Sequence, residues 1–200
     1  MKRIIKELQK GNFVIVVDDK NREDESDLVI AGEFITPEKI AFMLDHCSGI
    51  ICVSMTMEKI KKKGIPLVEK INFDYATAPF AFSVDAKGTH TGVSAYDRFL
   101  TIKKLCDDNA SLKDFKIPGH VFPLYANPNG LKARKGHTEA AVELMKSAGL
   151  KEVAVICELM NTSANCGDKK KLGTMMRGKD VIIFSEKYDI SFISINDMLK

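Results

Sequence analysis

Phe13-Val14-Ile15-Val16-Val17, a ten-residue polar stretch, then Leu28-Val29-Ile30-Ala31: this segment decides how the chain folds. Each apolar run is rich in β-branched residues and bounded by polar ones, so each reads as a buried strand. Working outward, Thr36-Pro37-Glu38 opens a helix, with Thr36 as N-cap, Pro37 in the first turn, and Ile40, Met43, Leu44 and Cys47 on one face. Ser94-Ala95-Tyr96-Asp97 has the pattern of a capping box and predicts a helix through Leu105. Ala140, Ala141, Leu144, Met145 and Ala148 recur at helical spacing, with Gly149 placed to end that helix. Further strands are predicted at residues 50–54, 80–84, 120–125, 153–158 and 192–195, and a helix at 180–187. Strands and helices intermingle without strict βαβ alternation. The expectation is α+β: layered helices and strands around a mixed sheet.

The chain has 200 residues, 45% hydrophobic and 28% charged, which suits one soluble domain able to bury roughly 70% of its unfolded surface. A formal charge of +3 does not argue for nucleic acid. The basic runs Lys61-Lys62-Lys63 and Lys169-Lys170-Lys171 are expected in solvated loops, and the polar stretch 161–173 is expected to be a mobile loop. Five cysteines without a Cys-x-x-Cys pair give little support to a disulfide framework or a structural zinc site, and Cys52 and Cys157 sit in apolar runs as core residues. No segment has the length of a signal-peptide core or a membrane span, so the cytoplasm is the expected compartment.

Between the first two strands, residues 18–27 carry six acids against two bases. Like charges this close repel, so the loop costs stability unless a cation or substrate offsets it. Carboxylates suit a hard ion such as Mg²⁺, but an EF-hand is excluded: counting from Asp19, the sixth position is Asp24 and the twelfth Ile30. Taken singly, the acids are better explained as a solvated hairpin tip. A second polar cluster, Arg134-Lys135-Gly136-His137-Thr138-Glu139, runs into the helix start. Unpaired N–H groups and a positive dipole end attract anions there. The dipole gives only about 0.3–1 kcal/mol, so Arg134 is needed to make a phosphate grip with the Gly136 backbone and the Thr138 hydroxyl. Many helices begin this way and bind nothing, and the loop gains meaning only beside the other clusters. In Pro118-Gly119-His120-Val121-Phe122-Pro123 a histidine between two prolines either satisfies a backbone group or, on a stiff backbone, serves as a catalytic acid or base, and the sequence favours neither. Glu158 ends an apolar strand, either exposed or held in a cleft.

In order along the chain, Val17-Asp18-Asp19 with residues 22–28, Thr89-His90-Thr91-Gly92-Val93-Ser94-Ala95-Tyr96-Asp97-Arg98, residues 118–124, residues 134–140 and Val155-Ile156-Cys157-Glu158-Leu159 resemble the 3,4-dihydroxy-2-butanone 4-phosphate synthase family, riboflavin-pathway enzymes acting on ribulose 5-phosphate. The resemblance implies a three-layer α/β/α arrangement around a mixed twisted sheet, and a homodimer with active sites shared at the subunit interface. It implies Mg²⁺ (or Mn²⁺) on Glu23 and His137. Arg22, Glu23, Asp27, Thr91, Glu158 and residues Arg134, Lys135, Gly136, His137 and Thr138 would bind the sugar phosphate, with Thr91 and His120 arriving from the partner subunit. His120, Glu158 and Asp27 are the catalytic candidates, and any of the three is admissible as the first base. The implied reaction forms an enediol, loses water, rearranges the skeleton and releases C4 as formate.

The chain departs from the family at Ser26 and Lys135, where glycine is usual, and over a longer stretch near 162–173. It lacks the GTP cyclohydrolase II half fused to some relatives, so a monofunctional enzyme of one domain, residues 1–200, is expected. Two other readings compete: a non-catalytic binder of phosphorylated ligands or RNA, which the acidic loop argues against, and a paralogue that binds sugar phosphate without turnover.

Overall fold

The computed structural model describes residues 1–68 and 79–200. In chain order its elements are α1 (Lys2–Gln9), β1 (Val14–Val17), β2 (Ser26–Ala31), α2 (Pro37–His46), β3 (Cys52–Thr56), α3 (Met57–Lys63), β4 (Val84–Ala86), α4 (Ala95–Cys106), β5 (Phe115–Ala126), α5 (His137–Ser147), β6 (Val153–Glu158), α6 (Lys179–Tyr188), β7 (Phe192–Ser194) and α7 (Ile195–Met198). Among the described residues the strands form one sheet in the order β4-β5-β3-β6-β2-β1-β7. β1/β7 and β3/β5 pair in parallel and the remaining neighbours antiparallel, so the sheet is mixed, as expected.

Side chains alternate across a strand, and here both faces are covered. Ile15, Leu28, Ile30, Val155 and Cys157 pack with residues of α2, α4 and α6. Val14, Val16, Val29, Ala154 and Ile156 pack on the other face with residues of α1, α5 and α7. Two covered faces explain why β1 and β2 read as unbroken apolar runs rather than alternating ones. The result is three layers, α/β/α.

Several local expectations change. Lys61-Lys62-Lys63 forms the last turn of α3, not a loop; Lys63 is buried and its Nζ donates to the Asp107 carbonyl at 2.5 Å. The strand predicted at 80–84 is reduced to single bridges at Phe80 and Ala81, and regular pairing begins only at Val84. On the other side of Val84, β5 carries a bulge. Val84 faces Val121 while Asp85 faces Lys116, so residues 117–120 are looped out of the ladder. Ser94 caps α4 by accepting from the Asp97 N–H at 3.0 Å, but the reciprocal half of the box is missing. The Asp97 carboxylate instead accepts from the N–H groups of His90 and Gly92, tying down the loop before the helix. The strand predicted at 192–195 gives up Ile195 to α7.

Candidate active site

Three chain segments meet at one end of the sheet, on the face covered by α5. Asp27 is the second residue of β2 and Glu158 ends β6, and the two are directly opposed in the antiparallel register. Both point toward the start of α5, since Val29 and Ile156, two residues along each strand, belong to that face. α5 is fixed by Ala140, Ala141, Leu144 and Met145, all fully buried. A buried Leu or Met contributes on the order of 1.5–3 kcal/mol, so the helix holds its first residue, His137, rigidly. The acidic loop closes the third side. The resulting cleft, about 190 Å³, is lined by Arg22, Glu23, Glu25, Asp27, Arg134, His137, Thr138 and Glu158, with Phe80, Leu124 and Ile156 as its apolar wall.

The loop is organised by Asp18, which the sequence reading passed over. Its carboxylate accepts from Arg22 Nη1 at 2.6 Å and from the backbone N–H groups of Asp19 and Glu23. Arg22 also donates to Glu23 Oε2 at 2.7 Å, so both cleft residues take their position from Asp18. On the helix side, Arg134 Nη1 donates to Glu139 Oε2 at 2.6 Å, and Glu139, fully buried, also accepts from the Asn127 N–H. A methyl group on Gly136 would stand 2.2 Å from Arg134 Nη1, so this close approach requires glycine. Ser48 donates to Glu158 Oε2 at 2.5 Å, which orients the carboxylate at the strand end.

His137 Nδ1 stands 3.8 Å from both Glu23 Oε2 and Asp27 Oδ1, near enough for charge attraction and too far for hydrogen bonds. His137 Nε2 and Asp27 Oδ1 are buried without any hydrogen-bond partner. Each such orphan costs about 1–3 kcal/mol, so a fold that keeps two of them side by side reserves them for a ligand. Burial pushes the Asp27 carboxyl up to about 7, and the neighbouring Glu158, Glu25 and Glu23 add to the rise against the pull of His137. Burial also acts against charge on His137, but Asp27 and Glu23 outweigh it and raise the ring to about 9. His137 followed by Arg22 keeps the Glu23 carboxyl below its ordinary value.

These residues fit a hard divalent ion. Asp18, Glu23 and His137 each offer a ligand atom within 4.8 Å of the others. Asp18 accepts three hydrogen bonds within the loop against one for Glu23, so Glu23 and His137 are the freer ligands, and Mg²⁺ typically uses few protein ligands and keeps several waters. A proton linkage follows. With its value raised from 6.5 to about 9, His137 contributes stability in full below about 6.5 that is lost as pH rises through about 9. Ligation needs the neutral ring. Magnesium uptake is therefore expected to release about one proton per ion at neutral pH, with affinity rising up to about tenfold per pH unit below that value. Calorimetry in two buffers of different ionisation enthalpy measures this. Uptake with no proton release would remove His137 from the ligand set.

A second groove, about 890 Å³, runs between α3 and α5. It is larger, but its buried carboxylate, Glu139, is fully bonded, whereas the small cleft gathers the unpaired groups.

Over residues 2–200 the sequence matches the family model described as 3,4-dihydroxy-2-butanone 4-phosphate synthase. The chain belongs to this family. It is 45% identical to the 3,4-dihydroxy-2-butanone 4-phosphate synthase of Wigglesworthia glossinidia brevipalpis, over 100% of this chain and 90% of that one. It is 44% identical to the riboflavin biosynthesis protein RibBA of Aquifex aeolicus, over 98% of this chain but 47% of that longer one. A crystal structure of 3,4-dihydroxy-2-butanone 4-phosphate synthase in complex with two magnesium ions superposes with a TM-score of 0.90 at 39% identity, covering 98% of this chain and 93% of that one.

Of the residues expected to bind or react in a synthase of this family, Arg22, Glu23, Asp27, Arg134, His137, Thr138 and Glu158 converge on the cleft, with Gly136 beneath Arg134. Lys135 is exposed and does not line it; its charge acts on Asp19 instead. Ser26 is buried at the start of β2 with no left-handed backbone, so serine costs no strain there; the left-handed residue in the loop is Asp24, at φ 52°. Thr91 and His120 also stand outside the cleft. His120 belongs to the bulge at 117–120, faces Asp85 rather than the cleft, and its side chain is 44% exposed. Ser48, Glu25 and Glu139 escaped the sequence reading. Glu25 carried a signal as one of the loop's six acids, and Glu139 as the residue three after the Gly136 N-cap, where acidic residues favour a helix start.

Proposed function

We propose that this synthase-family chain converts D-ribulose 5-phosphate to L-3,4-dihydroxy-2-butanone 4-phosphate plus formate, Mg²⁺-dependent, in riboflavin biosynthesis, as one cytoplasmic domain over residues 1–200. The observation that carries the reading is the opposed pair Asp27 and Glu158 beside His137 and Glu23 in one cleft that Arg134 borders. Arg134, the Gly136 N–H and Thr138 bind the phosphate, and Arg22 orients the sugar. Asp27, whose burial raises its proton affinity and whose Oδ1 is unpaired, takes a proton from a sugar carbon and returns it. Glu158, steadied by Ser48, handles a second proton as water leaves and formate separates. Mg²⁺ (or Mn²⁺) on Glu23 and His137 supplies positive charge that lowers the proton affinity of neighbouring sugar oxygens.

The catalytic unit is a homodimer. Thr91 and His120 do not line their own cleft, and apolar side chains stand exposed near Thr91. Ile50, Val93 and Tyr96 are about half exposed, and Arg98 links their segments by donating to the carbonyls of Val93 and Gly49. Gly49 adjoins Ser48 at the cleft edge, so a second copy seated here would bring its His120 to that edge. Incubating the chain with ribulose 5-phosphate and Mg²⁺ is expected to release formate. No release above a Glu23→Ala, His137→Ala control would reject the reaction.

A further inference from the structure

We propose that Asp85 is a positioning residue for the reaction: it fixes the tautomer and aim of His120 and holds the Thr91 loop against the same carboxylate, so that both groups are delivered to a second copy's cleft as one preassembled unit. The proposal rests on the reading above that His120 takes part in the chemistry. Asp85 lies in β4 with a nearly buried side chain, while His120 is exposed beside it. Asp85 Oδ1 accepts from the His120 backbone N–H at 2.9 Å, and Oδ2 faces His120 Nδ1 at 2.8 Å. A carboxylate can only accept, so Nδ1 carries the hydrogen and the Nε2 lone pair is left outward on the neutral ring.

The bulge makes this possible. With residues 117–120 looped out between Lys116 and Val121, His120 swings back over the strand it has left. A Cβ on Gly119 would lie 2.0 Å from the Val84 carbonyl carbon, so only glycine lets the loop press this close. The Thr91 side is clamped to the same group. A Cβ on Gly92, whose φ is 84°, would stand 2.0 Å from Asp85 Oδ2. Gly92 and His90 are each pinned by the Asp97 carboxylate, so both neighbours of Thr91 are fixed. The whole assembly is exposed at its tip and buried at its root, the arrangement expected of a group offered to another subunit.

Histidine nitrogen NMR on the full wild-type chain reads the tautomer directly, with a His120→Gln variant to assign the signal. The expected result is a protonated Nδ1 and an unprotonated Nε2; the reverse overturns the proposal without any Asp85 variant. Asp85→Asn keeps the shape but aims an amide N–H at Nδ1, which turns the ring to the other tautomer. The expected outcome is a shifted Nε2 signal and kcat lowered about 10²–10⁴-fold, the range for a misoriented catalytic histidine. KM for ribulose 5-phosphate, Mg²⁺ affinity and melting temperature should hold near wild type. Lost activity with an unchanged tautomer, or kcat within threefold, roughly, of wild type, would overturn it. Wild-type formate release undiminished in His120→Gln would overturn it too, by removing the role of His120 while leaving the synthase reading intact.

Discussion

Asp27→Asn and Glu158→Gln are each expected to lower the rate of formate release by about 10³-fold or more while Mg²⁺ and ribulose 5-phosphate still bind within severalfold. Two acids directly opposed across an antiparallel pair repel, and nothing in strand packing favours that placement. The fold tolerates it, with Asp27 fully enclosed and one oxygen unpaired. Such a pair can hold a proton on one partner while the other is ionised, which is what successive proton transfers need. The amide variants keep shape and hydrogen-bonding capacity but cannot exchange a proton at neutral pH. The effect should therefore fall on kcat and spare KM. Steady-state kinetics with isothermal titration of Mg²⁺ decide the matter. An Asn or Gln variant within tenfold, roughly, of wild-type kcat would remove that residue from the proton-transfer chemistry.

Subunit complementation should give the second large effect. Glu23→Ala and His120→Ala proteins are each expected to be nearly inactive alone, yet a purified heterodimer of the two should recover about half of wild-type activity. One of its two sites combines the intact cleft of the His120→Ala chain with the intact His120 of the other, and the second site carries both lesions. The geometry that motivates this is that His120 does not line its own cleft, together with the half-exposed Ile50, Val93 and Tyr96. Co-expression with two affinity tags isolates the heterodimer. If it is no more active than its parents, the shared site is wrong, and His120 would have to act within its own chain or not at all.

The apolar periodicity of residues 13–17, 28–31 and 153–158 was enough to place the central strands, because each is buried on both faces and carries no competing polar signal. The same logic misread Lys63, whose charge suggested solvent although its side chain is buried and its ammonium reaches the Asp107 carbonyl from the end of α3. It also misplaced the strand near residue 80. There Phe80 and Ala81 make only single bridges, to Leu124 and Leu67, and the apolar run did not show where regular pairing begins. In the site, the charges were legible and their neighbours were not. Asp18 looked like one acid among six, and only its three accepted hydrogen bonds reveal it as the anchor of Arg22 and Glu23.

By itself, then, the sequence determined the layered α and β architecture, the two charged clusters and the family to which their order belongs. Those properties reside in local periodicity and in motifs read along the chain. The tertiary structure alone decided that Asp27 and Glu158 oppose each other, that His137 and Asp27 keep unpaired buried atoms, and that Asp85 grips His120 across a gap of 35 residues. Each of these depends on which strands pair and in what register, where a shift of one residue sends every side chain to the other face, and the pairing of strands as distant in sequence as β2 and β6 is settled only by packing across the whole chain.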